Sequence, residues 1–234
     1  HDALPILYLI EGEDKAVLID TGTRCADLDK IVGQITGKPL EVIVTHMHPD
    51  HAGCIKYFDK VWMHRADTVL VPQHAADYQG EFLYMEEGQV FDLGGRKLEV
   101  AWMPGHTPGS VVLLDKANGD CYSGDAFGSG EVWLQCVPMS PIATFHESCC
   151  RMEKLMKEGH IKDIWCGHYP YLKSSLPLAY IQTMIRISHR LMNGDQEGSE
   201  PYSNYFIKMP PTARKLAEGR AMIVYDSTNI PEAR

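Results

Sequence analysis

Residues 45–53 read Thr45-His46-Met47-His48-Pro49-Asp50-His51-Ala52-Gly53. Three histidines and one aspartate fall within six of these positions, directly after the β-branched run of residues 41–45, which is typical of a strand. In an extended or turning loop, His46 and His48 point to the same side and can bind one ion, while Asp50 and His51 turn toward a neighbouring position. A solvated polar loop is the alternative, but four ligand-type residues at the end of a strand favour a metal site.

Three later segments repeat this arrangement, in which a predicted strand ends and a ligand-type residue follows. They are His106 after residues 97–103, Asp125 after residues 120–123 and His168 after residues 161–166. Each segment is a weak signal alone, because a lone His or Asp more often caps a helix or lies in the surface or core. Strand ends at one edge of a sheet converge in space, so we expect the four segments to meet.

The rest of the chain predicts short strands alternating with helices. Turns at residues 12–14 and 117–119 predict two hairpins, and helices are expected from about residue 65, over residues 144–158 and over residues 176–193. A last strand is expected at residues 221–225. This order indicates two mixed sheets with helices outside them.

The ordered set His46-x-His48-x-Asp50-His51, His106, Asp125 and His168 resembles the binuclear ligand set of the metallo-β-lactamase superfamily. The segment Leu18-Ile19-Asp20-Thr21-Gly22 also resembles the first strand and turn of that family. The resemblance covers nearly the whole chain. It implies an α/β fold of the four-layer αββα sandwich type, with residues 1–234 forming a single domain and the metal ions between the two sheets at one edge.

The same resemblance implies how two divalent ions would be bound. The first ion would be held by His46, His48 and His106, the second by Asp50, His51 and His168, with Asp125 bridging the two. Neutral imidazole and carboxylate suit zinc, and the same ligands also accept iron or manganese. A hydroxide bridging the ions would attack the substrate. Asp50 is the candidate to orient that nucleophile and pass its proton to the leaving group, and a role as ligand only is the equal alternative.

The expected reaction is hydrolysis of a small ester, thioester or lactone. An aspartate at the bridging position, Asp125, counts against β-lactam hydrolysis, because β-lactamases of this fold usually lack it. Thioesterases of the glyoxalase II type and lactonases share every ligand, although the basic residues with which the former bind glutathione are not recognisable. Two other classes stay open: a mononuclear iron dioxygenase of the persulfide type, and a non-catalytic metal-binding module of the same fold.

Substrate contacts are expected from loops around the metals. Tyr169 is a candidate donor to a substrate oxyanion and Tyr171 competes with it, with core packing as the simpler interpretation of both. Residues 132–139 are apolar and expected to be irregular, and Tyr78, Phe82, Tyr84 and Met85 are a second candidate pocket wall. The histidines outside the motifs, such as His74, are expected to be surface or core residues.

The composition of the chain argues against several classes of binding partner. The 234 residues carry a formal net charge of −9 and no basic stripe, which argues against nucleic acid or anionic lipid. No run approaches the roughly 18 apolar residues that cross a bilayer. The seven cysteines include no CxxC pair, which favours a reducing, cytoplasmic compartment. Because the chain begins at His1, a leader or outer strand is expected to be missing. A homodimer is compatible with the apolar segments, and the oligomeric state stays open.

Overall fold

The computed structural model describes residues 6–134, 140–169, 173–204 and 208–231. Its strands are β1 Tyr8–Glu11, β2 Ala16–Ile19, β3 Leu40–Ile43, β4 Lys60–His64, β5 Glu81–Met85, β6 Val90–Asp92, β7 Lys97–Trp102, β8 Val111–Asp115, β9 Asp120–Gly124, β10 Glu131–Trp133, β11 Asp163–Cys166, β12 Glu200–Pro201, β13 Ala213–Glu218 and β14 Ala221–Asp226. Its α-helices are α1 Leu28–Ile35, α2 Pro49–Ala52, α3 Val71–His74, α4 Ile142–Lys157 and α5 Leu178–Met192. Short 3₁₀-helices cover Ile55–Tyr57, Arg65–Leu70 and Ser227–Asn229.

These strands form three hydrogen-bonded sheets. The first has the order β1-β2-β3-β4-β5, the second β11-β9-β8-β7-β6 and the third β10-β14-β13-β12. In the first sheet β2 to β5 are parallel to one another. In the second sheet β8 is antiparallel to both β7 and β9, and β11 is parallel to β9. The strands β7, β9 and β11 therefore run in one direction and end at the same edge.

The two five-stranded sheets lie face to face, as the burial of strand β8 on both of its faces shows. All five of its residues are buried. Val111 and Leu113 belong to a core shared with β2 and β3 of the first sheet, whereas Val112 and Leu114 belong to a core shared with helices α4 and α5. Successive side chains of a strand point to opposite faces. Strand β8 is therefore covered by a sheet on one face and by helices on the other.

Strand β2 shows the matching arrangement in the first sheet. Val17 and Ile19 face the core between the sheets, and Leu18 faces a separate core that includes Leu28 and Val32 of helix α1. The layers thus run helix, sheet, sheet, helix, which confirms the predicted four-layer αββα sandwich. The third sheet joins the outer core of α4 and α5 through β13 and β14.

Several local predictions need correction. Residues 132–139 are not irregular throughout, because Val132 and Trp133 belong to β10, which pairs with β14; residues 135–139 lie outside the described part. Phe82, Tyr84 and Met85 belong to β5, an edge strand of the first sheet that the sequence pattern does not indicate. The helix expected from about residue 65 begins as a 3₁₀-helix and becomes α-helical only over its last turn. In the described residues, no helix combines the length and hydropathy of a membrane-spanning segment.

Candidate metal centre

Each predicted ligand follows the carboxyl end of a strand. After β3, a short loop carries His46 and His48 and leads into helix α2, which carries Asp50 and His51 in place of the expected loop. His106, Asp125 and His168 follow β7, β9 and β11. Backbone hydrogen bonds close this edge: Val111 N donates to Thr45 O at 3.0 Å across the sheets, and Gly167 N donates to Gly124 O at 2.8 Å. The loops that carry the ligands therefore meet at one place.

The seven side chains form two clusters. In the first triad, the ligand atoms of His46, His48 and His106 all lie within 4.8 Å of one another. The second cluster meets the same limit and consists of Asp50, His51, Asp125 and His168. The clusters are adjacent, since the ring centroids of His46 and His51 are 4.2 Å apart. The resemblance implied the same two sets of ligands with Asp125 shared between them, whereas the structure groups Asp125 with the second cluster.

Buried polar atoms without partners show that the clusters fit metal ions. Among the described residues, His46 Nε2, His51 Nε2 and Asp125 Oδ1 are buried side-chain atoms that make no hydrogen bond. Such atoms are costly to bury unless something binds them. In the first triad, His48 Nδ1 and His106 Nε2 are 2.9 Å apart and share a hydrogen bond. Imidazole and carboxylate donors directed at one point are the ligands that divalent transition metals take.

Space at the second cluster depends on Gly167. A Cβ at this position would lie 2.5 Å from His51 Cε1 and 2.8 Å from Asp125 Oδ1. Real side chains do not approach this closely, so the backbone itself forms one wall of the cluster. This explains why glycine separates Cys166 from His168.

Hydrogen bonds at the opposite ring nitrogens orient the histidines. Asp20 Oδ2 lies 2.7 Å from His51 Nδ1, and Trp133 O lies 2.8 Å from His106 Nδ1. Each partner is an acceptor, so Nδ1 carries the hydrogen and Nε2 is directed to the centre. Asp20 also accepts a hydrogen bond from Thr45 N at 2.7 Å, which ties the end of β2 to the start of the ligand loop.

The first triad is electrically suited to a cation. Burial, together with the neighbouring His51 and His48, lowers the pKa of His46 well below its usual range. Burial and His106 lower the pKa of His48 to about 3, and burial also lowers the pKa of His106. All three rings are therefore neutral near pH 7, which is the form that binds metals.

The second cluster has the opposite balance in the metal-free protein. Burial alone would lower the pKa of His168, but the carboxylate of Asp125 and its hydrogen bond raise it to about 10. His51 behaves alike, because Asp20 and Asp125 outweigh burial and raise its pKa. Conversely, His168 and His51 lower the pKa of Asp125, and a hydrogen bond with His168 lowers the pKa of Asp50 to about 2, in both cases against burial. Two imidazolium groups face two carboxylates until a metal replaces the protons.

Some residues of the site were not predicted. The sequence indicates only a strand and turn around Asp20, whereas in the structure Asp20 orients His51. In the structure, Asp20 has a φ of +62°. A non-glycine residue in this left-handed region often marks a functional position. His74 lies at the edge of the site, with its ring centroid 5.9 Å from that of His48. The position of His74 depends on helix α3, which follows the 3₁₀-helix Arg65–Leu70. No sequence motif indicates this position.

Tyr169, the candidate oxyanion donor, lies next to a ligand but also packs against the core. Tyr169 follows His168 directly, and its ring packs against Trp165 with centroids 5.7 Å apart. The partly buried ring also packs against the core under α4 and α5. These contacts fit the core-packing interpretation and leave the role of its hydroxyl a proposal. Tyr171, the competing candidate, lies outside the described residues.

Comparisons with known proteins agree with this geometry. The family model described as metallo-beta-lactamase superfamily matches residues 7–146, more than half of the chain. An acyl-coenzyme A thioesterase, MBLAC2 of Homo sapiens, is 26% identical over 202 residues, covering 70% of this chain and 72% of the relative. A hydroxyacylglutathione hydrolase of Aeromonas salmonicida is 27% identical over 176 residues, covering 74% of this chain and 64% of the relative.

Solved structures agree as well. The structure of TTHA1623 in a di-iron-bound form is similar with a TM-score of 0.59 and 27% sequence identity, covering 74% of this chain and 89% of that chain. The residues that the family model matches include the first triad and the loops after β3, β7 and β9, whereas His168 lies beyond them. The chain therefore belongs to the metallo-β-lactamase superfamily and is a metal-dependent hydrolase.

Proposed function

We propose that this protein holds two zinc ions and hydrolyses a small ester, thioester or lactone, with a thioester as the first substrate class to test. The observation that carries the proposal is the pair of adjacent clusters, each with its ligand atoms within 4.8 Å and with buried nitrogen or oxygen atoms that lack partners. In a mononuclear enzyme with its ion in the first triad, the unpartnered buried atoms of the second cluster would have nothing to bind. The names of the thioesterase and hydroxyacylglutathione hydrolase relatives favour the thioester class.

The residues divide the work of such a reaction. Two ions bound here would supply a hydroxide nucleophile at neutral pH and would polarise the substrate carbonyl. His46, His48 and His106 would hold one ion and Asp50, His51 and His168 the other, with Asp125 shared. Asp50 has the more exposed carboxylate of its cluster, 38% against 16% for Asp125. Asp50 can thus accept the proton of the attacking group and deliver it to the departing thiolate or alkoxide.

Tyr169 would assist from beside His168, by donating a hydrogen bond to the oxyanion that forms on the substrate carbonyl. We expect Tyr169→Phe to lower kcat about tenfold or more if the hydroxyl donates in the transition state, with metal content unchanged. The measurement is steady-state hydrolysis with parallel metal analysis. An unchanged kcat would assign Tyr169 to packing alone.

Metal stoichiometry and a substrate panel test the proposal together. Elemental analysis after reloading with excess zinc should give two ions per chain, and His168→Ala should lose mainly the second. His160→Ala is the matched control, because that imidazole is 52% exposed and outside both clusters. At most one ion in the reloaded wild type would reject the binuclear proposal.

The panel contains acyl-thioesters, aryl esters, lactones and a chromogenic β-lactam, each assayed with zinc-, manganese- and iron-loaded protein. We expect turnover of at least one acyl substrate and negligible cleavage of the β-lactam. Fast β-lactam cleavage without acyl hydrolysis would reverse the ranking of substrates. Iron-dependent oxygen uptake with a persulfide, and no hydrolysis, would favour the mononuclear dioxygenase. Inactivity throughout, with metal bound, would favour a non-catalytic module.

A further inference from the structure

Asp67 belongs to no ligand motif, yet its carboxylate is buried beside the candidate metal centre. It lies in the 3₁₀-helix Arg65–Leu70 and is 1% exposed. Its Oδ2 accepts hydrogen bonds from Met47 N at 2.9 Å and Thr107 Oγ1 at 3.0 Å, and its Oδ1 accepts one from Gly109 N at 2.6 Å. All three donors are uncharged groups.

The positions of these donors are informative. Met47 stands between His46 and His48, and Thr107 directly follows His106. One carboxylate therefore holds both loops that supply the first triad, and these loops leave different sheets, since one follows β3 and the other β7. The two segments are far apart in the chain and are joined here by a single side chain.

The backbone of Gly109 lies very close to the carboxylate of Asp67. A Cβ on Gly109 would lie 2.6 Å from Asp67 Cγ, so only glycine lets the loop backbone reach the carboxylate. Thr107 is fixed in turn by Ser110, whose Oγ lies 2.9 Å from Thr107 Oγ1. The segment from Thr107 to Ser110 is thus shaped around Asp67.

Packing alone does not account for a carboxylate at this place. Burial raises the pKa of Asp67, and the bonds from Met47, Gly109 and Thr107 oppose that rise. A buried carboxylate is costly unless it is hydrogen-bonded, and an apolar residue here would leave the N–H groups of Met47 and Gly109 without an acceptor. The bonds that Asp67 makes lead to the ligand loops.

We propose that Asp67 is a positioning residue for the first triad: it fixes the loops of His48 and His106 at the separation that one divalent ion requires, and so sets the affinity of that site without touching the ion. The inference rests on the proposed function, because it requires a metal in the first triad. It concerns a residue that the ligand motif does not contain.

Asp67→Asn tests it with little change in size. The amide NH₂ cannot accept a hydrogen bond, so in either orientation it faces the N–H of Met47 or of Gly109 and one loop is released. Affinity for zinc in the first triad should fall about 10–100-fold, as is usual when a residue that orients metal ligands is lost. Affinity at the second cluster should change by less than about threefold. The measurements are competition titration against a chromogenic chelator and the visible spectrum of the cobalt-substituted protein, in which the band of the first site should shift.

Asp115→Asn is the matched control, because Asp115 is also a fully buried carboxylate but binds Arg96 at the far end of β8. It should lower the melting temperature and leave both zinc affinities unchanged. If Asp67→Asn does not fold, Thr107→Val removes one of the three bonds and should give a smaller shift at the same site.

Equal affinities in Asp67→Asn and wild type would overturn the inference, as would an equal fall at both sites or the same fall in Asp115→Asn. Two ions in the wild type with no effect of Asp67→Asn would overturn this inference alone. A wild type that holds no ion in the first triad would overturn the proposed function and this inference together.

Discussion

Asp50 and Asp125 lie in one cluster, but their surroundings differ. Asp125 Oδ2 lies 3.5 Å from His51 Nε2 and 3.2 Å from His168 Nε2, so it is enclosed between the two rings. Asp50 Oδ2 lies 3.3 Å from His168 Nε2 and the side chain keeps 38% of its surface exposed. A group that exchanges protons with a substrate must reach it, and of these two carboxylates Asp50 is the more accessible.

We therefore expect Asp50→Asn to reduce kcat by about 10²–10⁴-fold, the loss usual for a positioned proton carrier. The amide keeps the size and a weak oxygen ligand but loses the charge and the basicity. The first triad contains no atom of Asp50, so it should keep its ion. Hydrolysis rates and metal content are measured side by side, and an unchanged kcat would assign Asp50 to metal binding only.

The protons of the second cluster give a pH prediction for the metal-free protein. Asp125 holds the pKa of His168 near 10, above the ordinary value of 6.5. A raised pKa in the folded state contributes stability that is fully present below pH 6.5 and is lost as the pH rises through about 10. Stability of the metal-free protein should thus fall between those values.

NMR titration of the imidazole signals checks this directly, with His168→Ala to assign the resonance. His168 should stay protonated at pH 8, while His48, with a pKa of about 3, should be neutral throughout the neutral range. A His168 that titrates near pH 6.5 would show that Asp125 is not placed as described.

At the scale of elements, the turn after β11 matters as much as the ligand it carries. Gly167→Ala would place a Cβ 2.5 Å from His51 Cε1, and the strand cannot move away because Gly167 N is bonded to Gly124 O at 2.8 Å. We expect the second ion to be lost or weakened at least about tenfold, with the first triad little changed. Zinc titration measures both.

Gly33→Ala is the matched control for that substitution. Gly33 is exposed within α1, and nothing lies within 4 Å of a Cβ built there. Alanine should stabilise the helix by about 0.5–1 kcal/mol and leave metal binding unchanged. Equal metal affinities in the two variants would contradict the steric argument at Gly167.

The elements that could be predicted from sequence are those whose signals are local. The hairpin β8–β9 follows from its apolar strands and the turn at residues 117–119, and the pairing of β8 with β9 is observed. Strand β13 has the sequence Ala-Arg-Lys-Leu-Ala-Glu, which favours a helix, and it is a strand because it pairs with β14. Strand β10 likewise depends on β14, about ninety positions later. Such pairings cannot be read from a local pattern.

The same distinction applies to the candidate site. Its ligand residues stand at predicted strand ends, so their meeting could be predicted. Asp20 and Asp67 act through hydrogen bonds to loops 20 to 42 positions away, and nothing adjacent to them in the sequence indicates those partners. His74 reaches the site by the same kind of tertiary arrangement.

For the whole molecule, the ligands come from both five-stranded sheets. Residues 46–51 follow strand β3 of the first sheet, and the other ligands follow strands of the second. Bound metal should therefore stabilise the packing of the sheets against each other, as any ligand of the folded state alone does, by about 4 kcal/mol at 1,000 times Kd.

We expect one cooperative unfolding transition, since the chain is predicted to be a single domain, and a lower melting temperature after chelation. Tryptophan fluorescence reports on both sheets, through Trp62 of β4 and Trp165 of β11, and far-UV circular dichroism reports on the backbone. The two signals should coincide with and without zinc. Separate transitions would contradict the single-domain prediction.

Charge concerns the molecule as a whole. The net charge of −9 lies far from that of nucleic-acid-binding proteins, and bound cations would reduce it. The cytoplasmic compartment, the absence of nucleic-acid partners and the oligomeric state stay predictions. Size-exclusion chromatography with light scattering would determine the last of these.

The wide spacing of the ligands along the chain also determines the order in which they become available during synthesis. During synthesis, residues 46–51 leave the ribosome first, His106 then completes the first triad, and His168 completes the second cluster last. Loops of this length close late, since many strand pairings must form first. We therefore expect metal to bind only after the two sheets have packed together, so that the newly made protein reaches that stage before any ion is bound.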